Sequence, residues 1–101
     1  IGARDIFFGA NKDDFIHYPD CRPEYFRAFE NVANLATRVG VEGGCFQIQA
    51  PLVDDDKKAV IERGKQLGVN FQLTTSCYDP QKNNDACGKC DACRLRSDAF
   101  R

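Results

Sequence analysis

Ser76-Cys77-Tyr78-Asp79-Pro80-Gln81-Lys82-Asn83-Asn84-Asp85-Ala86-Cys87-Gly88-Lys89-Cys90-Asp91-Ala92-Cys93-Arg94 spaces four cysteines as C-x9-C-x2-C-x2-C. Four thiolates satisfy the tetrahedral preference of one structural Zn²⁺ and leave no position for water or substrate. The stretch is rich in Asp, Asn, Gly and Lys, with little apolar side chain of its own, so a metal would supply much of its folding energy. Two other readings stay open. An iron–sulfur centre also uses four cysteines, although the ferredoxin run, with a fourth close Cys followed by Pro, is absent. Six cysteines in 101 residues would also suit a secreted disulfide framework. Three cysteines at two-residue gaps suit chelation better than bridging, and the remainder of the chain does not need crosslinks. A last helical turn is predicted from near Asp91 to Phe100.

Working upstream, Phe71 to Thr74 reads as a short strand. Before it, Asp56 can cap a helix running through Val60, Ile61, Gly64 and Leu67 to a stop at Gly68. Phe46 to Pro51 alternates and reads as a strand. Pro23 suits a helix first turn, and Tyr25, Phe26, Phe29, Val32, Ala33 and Ala36 recur at helical steps up to an end near Gly40. Arg4 to Gly9 reads as a strand buried on both faces, because Ile6, Phe7 and Phe8 are consecutive. Asn11 to Arg22 is a polar loop, and Ile1 to Ala3 reads as the tail of a helix. Cys45 is expected in a strand, packed in the core, and Cys21 as a packed thiol.

The order β-loop-α-β-α-β followed by a metal knot predicts an α/β fold, part of a doubly wound parallel sheet with right-handed crossovers. We expect residues 1–75 to form part of the α/β domain and residues 76–101 the zinc-binding segment. Ligands of such sheets bind outside the carboxyl ends of the strands. Asn11 to Arg22, Val53 to Lys57 and the segment from Ser76 would converge on that rim.

A net charge of −1 offers no broad basic surface for nucleic acid. No apolar run approaches the roughly 20 residues of a membrane span, and no signal peptide is visible. The chain contains no Met and begins at Ile1, so a processed product or fragment is expected.

The chain closely resembles the C-terminal half of the 7-cyano-7-deazaguanine synthases. The resemblance is carried by Gly9-Ala10-Asn11 with Asp14, Tyr18-Pro19-Asp20-Cys21-Arg22-Pro23-Glu24, Ala50-Pro51-Leu52, Lys57 and Leu67-Gly68-Val69. It continues through Thr75-Ser76-Cys77-Tyr78 and Ala86-Cys87-Gly88-Lys89-Cys90-Asp91-Ala92-Cys93-Arg94-Leu95-Arg96. It implies an adenine-nucleotide α-hydrolase-like fold of the ATP pyrophosphatase group in a cytoplasmic enzyme, commonly a homodimer. The implied reaction is ATP-dependent, with Mg²⁺, and turns 7-carboxy-7-deazaguanine and ammonia into 7-cyano-7-deazaguanine for queuosine biosynthesis. One zinc per chain, held by Cys77, Cys87, Cys90 and Cys93, is implied as well.

The same resemblance implies roles for the loop after the first strand. Asp20 would accept hydrogen bonds from the amino-pyrimidinone edge, Arg22 would bind the acid through two parallel bonds, and Tyr18 would stack on the base. The alternative is a loop locked by an Asp20–Arg22 or Arg22–backbone contact. Lys57, in a region where related ATP pyrophosphatases place a pyrophosphate-binding lysine, is the phosphate-binding candidate; otherwise it is a surface lysine. Asp54, Asp55 and Asp56 are better explained by the start of a helix than by Mg²⁺. No catalytic acid or base is identifiable. The family's Ser-Gly-Gly-x-Asp-Ser phosphate loop does not occur in the chain, so adenylation by these residues alone is not expected. The rival readings are a non-catalytic zinc-stabilised module binding a deazapurine or RNA, and another synthetase of the same group.

Overall fold

In the computed structural model of the chain, which describes residues 2–101, strands β1 (Asp5–Phe7) and β2 (Gln47–Gln49) form a parallel two-stranded sheet. Asp5 stands opposite Gln47, Ile6 opposite Ile48 and Phe7 opposite Gln49. The ladder continues one bond beyond each end. Gln47 N–H donates to the Arg4 carbonyl and Phe8 N–H to the Gln49 carbonyl, both at 2.9 Å. Parallel strands need a long crossover, and helix α1 (Pro23–Ala36) lies within it. The chain divides into two compact units, the first ending at Asp55 and the second spanning Asp56–Arg101.

In the first unit, α1 starts at Pro23, as its ring predicts, and buries Phe26. Phe8 meets Phe26 and Phe29 with ring centroids 5.1 and 6.1 Å apart. Phe7, on the opposite face of the strand, is 72% exposed. The expectation that β1 is covered on both faces is therefore corrected, because α1 covers the Phe8 side. The helix stops before Thr37, earlier than Gly40. Thr37 has extended backbone, and its hydroxyl donates to the Ala33 carbonyl at 2.7 Å. A single turn, α2 (Arg38–Val41), follows. Gly40 fits there because the Asn34 carbonyl occupies the space a Cβ would need.

Helix α1 also closes the outer edge of β2. Asn34 pairs with the backbone of Phe46 in both directions, its Oδ1 accepting from N–H at 2.6 Å and its Nδ2 donating to the carbonyl at 3.0 Å. One turn earlier, Glu30 accepts from Ile48 N–H at 2.7 Å. Two side chains thus take the place of a neighbouring strand on groups that would otherwise invite edge pairing. Cys45, expected in the core, is exposed and precedes the strand.

In the second unit, α3 (Lys57–Gln66) begins where the sequence predicts, with Asp56 Oδ1 accepting from Ala59 N–H at 2.8 Å. It ends in a Schellman turn. Gly68 sits at φ +74, its N–H bonds to the Lys65 carbonyl, and Val69 N–H bonds to the Gly64 carbonyl. Ile61 is the most buried side chain, at 2% exposure. The third strand expected at Phe71 to Thr74 is not formed. Phe71–Leu73 is a single 3-10 turn, closed by Asn70 Oδ1 accepting from Gln72 N–H and by Thr74 Oγ1 donating to the Phe71 carbonyl. Its backbone groups are satisfied locally instead of in a ladder. Helix α4 (Asp91–Ala99) closes the unit and buries Cys93 and Ala99.

The architecture is thus mixed α/β, with a small parallel sheet of two strands rather than three. Gly2 and Ala3 are not helical, and Ile1 lies outside the described residues. No described helix is long and apolar enough to cross a membrane.

Candidate metal centre

The second unit brings Cys77, Cys87, Cys90 and Cys93 together, with all four sulfurs within 4.8 Å of one another. Three of them are gathered by local geometry. Gly88 adopts φ +71, a left-handed turn that suits glycine. Cys90 then stands at the N-cap of α4, and Cys93 lies in its first turn. Cys77 arrives from the segment after the Phe71–Leu73 turn.

Backbone amides point at the sulfurs. Cys77 Sγ accepts from the N–H groups of Asp79 at 3.4 Å and Cys87 at 3.3 Å, and Cys87 Sγ accepts from Cys90 N–H at 3.4 Å. Such donors favour the thiolate. The Cys87 amide, with that of Asp79, lowers the Cys77 pKa, against partial burial. The amides of Tyr78 and Cys93 bring Cys90 down to about 6. Cys93 goes the other way, to about 12, because its thiol shares a proton with the Cys90 sulfur and is partly desolvated. The two shifts are two views of one interaction: Cys90 carries the charge and Cys93 keeps the proton.

The donor set fits a tetrahedral metal. Zn–S bonds of about 2.3 Å put neighbouring sulfurs about 3.8 Å apart, and Cys87 and Cys93 are separated by 4.0 Å. All six cysteines are free, so the disulfide alternative does not describe this fold. The cluster is consistent with a zinc site whose shell is complete without substrate, which suits a structural role.

Around the sulfurs, the second unit holds a connection invisible in the cysteine spacing. Arg96 Nη2 donates to the Phe71 carbonyl at 2.8 Å, and Nη1 reaches Thr74 Oγ1 at 3.0 Å and Ser76 Oγ at 3.4 Å. Its guanidinium lies over the Phe100 ring, 5.3 Å from the centroid. Its position three residues beyond Cys93 on one helix face was the available signal for a structural role.

The other candidates lie outside the cluster. In the first unit, Tyr18 precedes a 3-10 turn, Pro19–Cys21, that contains Asp20, and Arg22 is the N-cap of α1. All three are exposed. Arg22 Nε donates to the Phe15 carbonyl at 3.3 Å, the backbone contact that the alternative reading anticipates. Tyr18 stands edge-on to His17, with centroids 6.5 Å apart. Asn11 and Asp14 form a capping box that shapes the loop. Cys21 is partly buried, and its thiol pKa is raised by desolvation and by Asp14 and Asp20. Lys12 N–H bonds to the Asp55 carbonyl at 2.9 Å, joining the segment after β1 to the segment after β2 at the carboxyl ends of both strands. Lys57 is the first residue of α3, in the second unit.

The model of the family described as "Queuosine biosynthesis protein QueC" matches residues 1–101. The chain is 55% identical over 100 residues to the 7-cyano-7-deazaguanine synthase of Stutzerimonas stutzeri (strain A1501), covering 99% of this chain and 45% of that protein. It is 52% identical over 101 residues to the protein of the same name from Rickettsia rickettsii (strain Sheila Smith), covering 100% of this chain and 44% of that one. The chain therefore spans less than half the length of these relatives, and over that span it belongs to the queuosine biosynthesis protein QueC family.

Proposed function

We propose that the chain contributes the deazapurine-binding loop and a structural zinc site to a 7-cyano-7-deazaguanine synthase. Such an enzyme converts 7-carboxy-7-deazaguanine and ammonia to the nitrile at the expense of ATP. The observation that carries the reading is 55% identity to the Stutzerimonas stutzeri synthase along nearly the whole chain. In this reading residues 1–75 belong to an adenine-nucleotide α-hydrolase-like domain and residues 76–101 to the zinc segment. The homodimer typical of the family is part of the same proposal.

Cys77, Cys87, Cys90 and Cys93 would hold the zinc, whose contribution is folding energy for a segment with little apolar core. Asp20 would accept from the ring N–H and amino groups of the substrate, and Arg22 would grip its carboxylate through two parallel bonds. Both side chains are exposed in the connection from β1 to α1, and such connections border the ligand edge of parallel sheets. Tyr18 offers a ring face, and Lys57, at the positive end of α3, a charge for phosphate. Asp20 and Arg22 would orient the acid for attack on ATP. The chain carries no Ser-Gly-Gly-x-Asp-Ser run, so these residues alone are not expected to adenylate.

The test uses the full-length protein containing this chain, with Asp20→Ala and Arg22→Ala variants and calorimetric titration of 7-carboxy-7-deazaguanine. Loss of a charged hydrogen bond predicts binding weaker by about 10- to 100-fold in each. Wild-type affinity in both would remove the substrate assignment. Tight, steeply salt-dependent RNA binding would instead favour a binding module.

A further inference from the structure

Cys77 is the ligand that the local sequence does not place. Cys87, Cys90 and Cys93 follow from the Gly88 turn and the start of α4. Nine residues separate Cys77 from Cys87, and residues 78–86 between them are all exposed. The loop reaches the Cys77 sulfur through backbone amides, those of Asp79 and Cys87, and buries none of its residues around it. A second constraint comes from the other side. Residues 71–76, which lead into Cys77, are tied to α4 by the Arg96 guanidinium.

We infer that Arg96 is a positioning residue of the metal centre, holding the segment that presents Cys77 in register with the helix that presents Cys93. The inference rests on the zinc reading above. Arg96 and Cys93 are three residues apart on α4, hence on one face. The guanidinium plane meets three acceptors at once: the Phe71 carbonyl, Thr74 Oγ1 and Ser76 Oγ. Thr74 Oγ1 also donates to the Phe71 carbonyl at 2.9 Å, so the donors and acceptors close into a ring. Phe100 stacks beneath the guanidinium and meets Phe71 edge-on at 5.2 Å, which restricts the side chain further. A lysine would preserve the charge but cannot reproduce the fork.

The experiment loads the full chain, wild-type, Arg96→Lys, Arg96→Ala and Thr74→Val, with Zn²⁺. Metal affinity is measured by chelator competition, and cysteine reactivity by limited iodoacetamide alkylation with residue-resolved mass spectrometry. Supporting-residue changes around metal ligands typically weaken affinity about 10- to 100-fold, and Arg96→Lys is expected within that range. Its decisive signature is selective: Cys77 becomes the first sulfur alkylated while Cys87, Cys90 and Cys93 remain protected. Thr74→Val, which leaves α4 untouched, shows the same selectivity in smaller measure. Equal alkylation of all four sulfurs in Arg96→Lys, or unchanged affinity, overturns the inference while the zinc reading stands. A wild-type chain that takes up no zinc overturns both. Arg96→Ala extends the series, and Arg96→Lys and Thr74→Val decide the question should it fail to fold.

Discussion

Gly64 faces the ring of Phe71 so closely that a Cβ on Gly64 would lie 2.5 Å from Phe71 Cζ. Glycine in a helix interior ordinarily weakens it by about 1 kcal/mol relative to alanine. Here the close approach outweighs that gain. Phe71 is wedged edge-on against Phe100, and its carbonyl is held by Arg96. We expect Gly64→Ala to destabilise the second unit by about 1–3 kcal/mol, the range for overpacking. Urea unfolding measures it, and a stabilised variant would mean that the ring moves aside freely.

Asn34 is the second point of stress. It serves both backbone groups of Phe46 from α1, over a separation of 12 residues. Asn34→Ala leaves a partly buried N–H and C=O without those partners, at about 1–3 kcal/mol for the unsatisfied groups. It also opens the outer edge of β2, so self-association should rise with concentration. Sedimentation velocity beside urea unfolding tests both effects. Wild-type stability with no added association would show that Glu30 alone protects the edge.

The thiol shifts give a pH prediction for the metal-free protein. Cys90 falls from the ordinary 9.0 to about 6 because backbone amides favour its thiolate. A lowered folded pKa contributes stability that is complete above the unfolded value and is lost as pH falls through the folded one. The contribution of Cys90 is therefore whole above about 9 and disappears on acidification through about 6. Thiolate ultraviolet absorbance should show Cys90 ionising well below the ordinary thiol value of 9.0, with Cys77 lowered as well. Cys93, pushed up to about 12, should resist alkylation longest. A single common transition near 9 would contradict the arrangement of amides.

Gly88 tests the turn between the first two closely spaced cysteines. At φ +71 a Cβ meets no neighbour, so the effect of Gly88→Ala is backbone strain alone. Left-handed backbone costs about 1–2 kcal/mol for a residue with a Cβ. Zinc affinity should fall by about one order of magnitude at a strain of 1.4 kcal/mol. Affinity equal to wild type would show that the turn relaxes without disturbing the sulfurs.

Several features are legible from the chain because their causes are local. The Asp56 cap, the Pro23 start and the glycine stop at Gly68 each act over one helical turn. The last three cysteines follow in the same way, since the Gly88 turn and the first turn of α4 span only seven residues. The Tyr18–Glu24 and Cys87–Arg96 runs carried the family for the same reason: they are contiguous. Phe71 to Thr74 was misread because a strand is a pairing, not a property of four apolar-rich residues. Asn70 and Thr74 satisfy that backbone locally, and the segment curls into a 3-10 turn.

By itself the sequence determined which four cysteines form the cluster, the helix boundaries set by caps and the family. Only the tertiary structure decided which faces are covered and what holds the ligands in place. Phe7 is exposed and Phe8 is packed because α1 covers one side of β1. The edge of β2 is closed by Glu30 and Asn34, 18 and 12 residues away. Cys77 is anchored through Arg96, whose longest bond in sequence spans 25 residues. Contacts of that range form only after the chain has folded back on itself, so no local pattern encodes them.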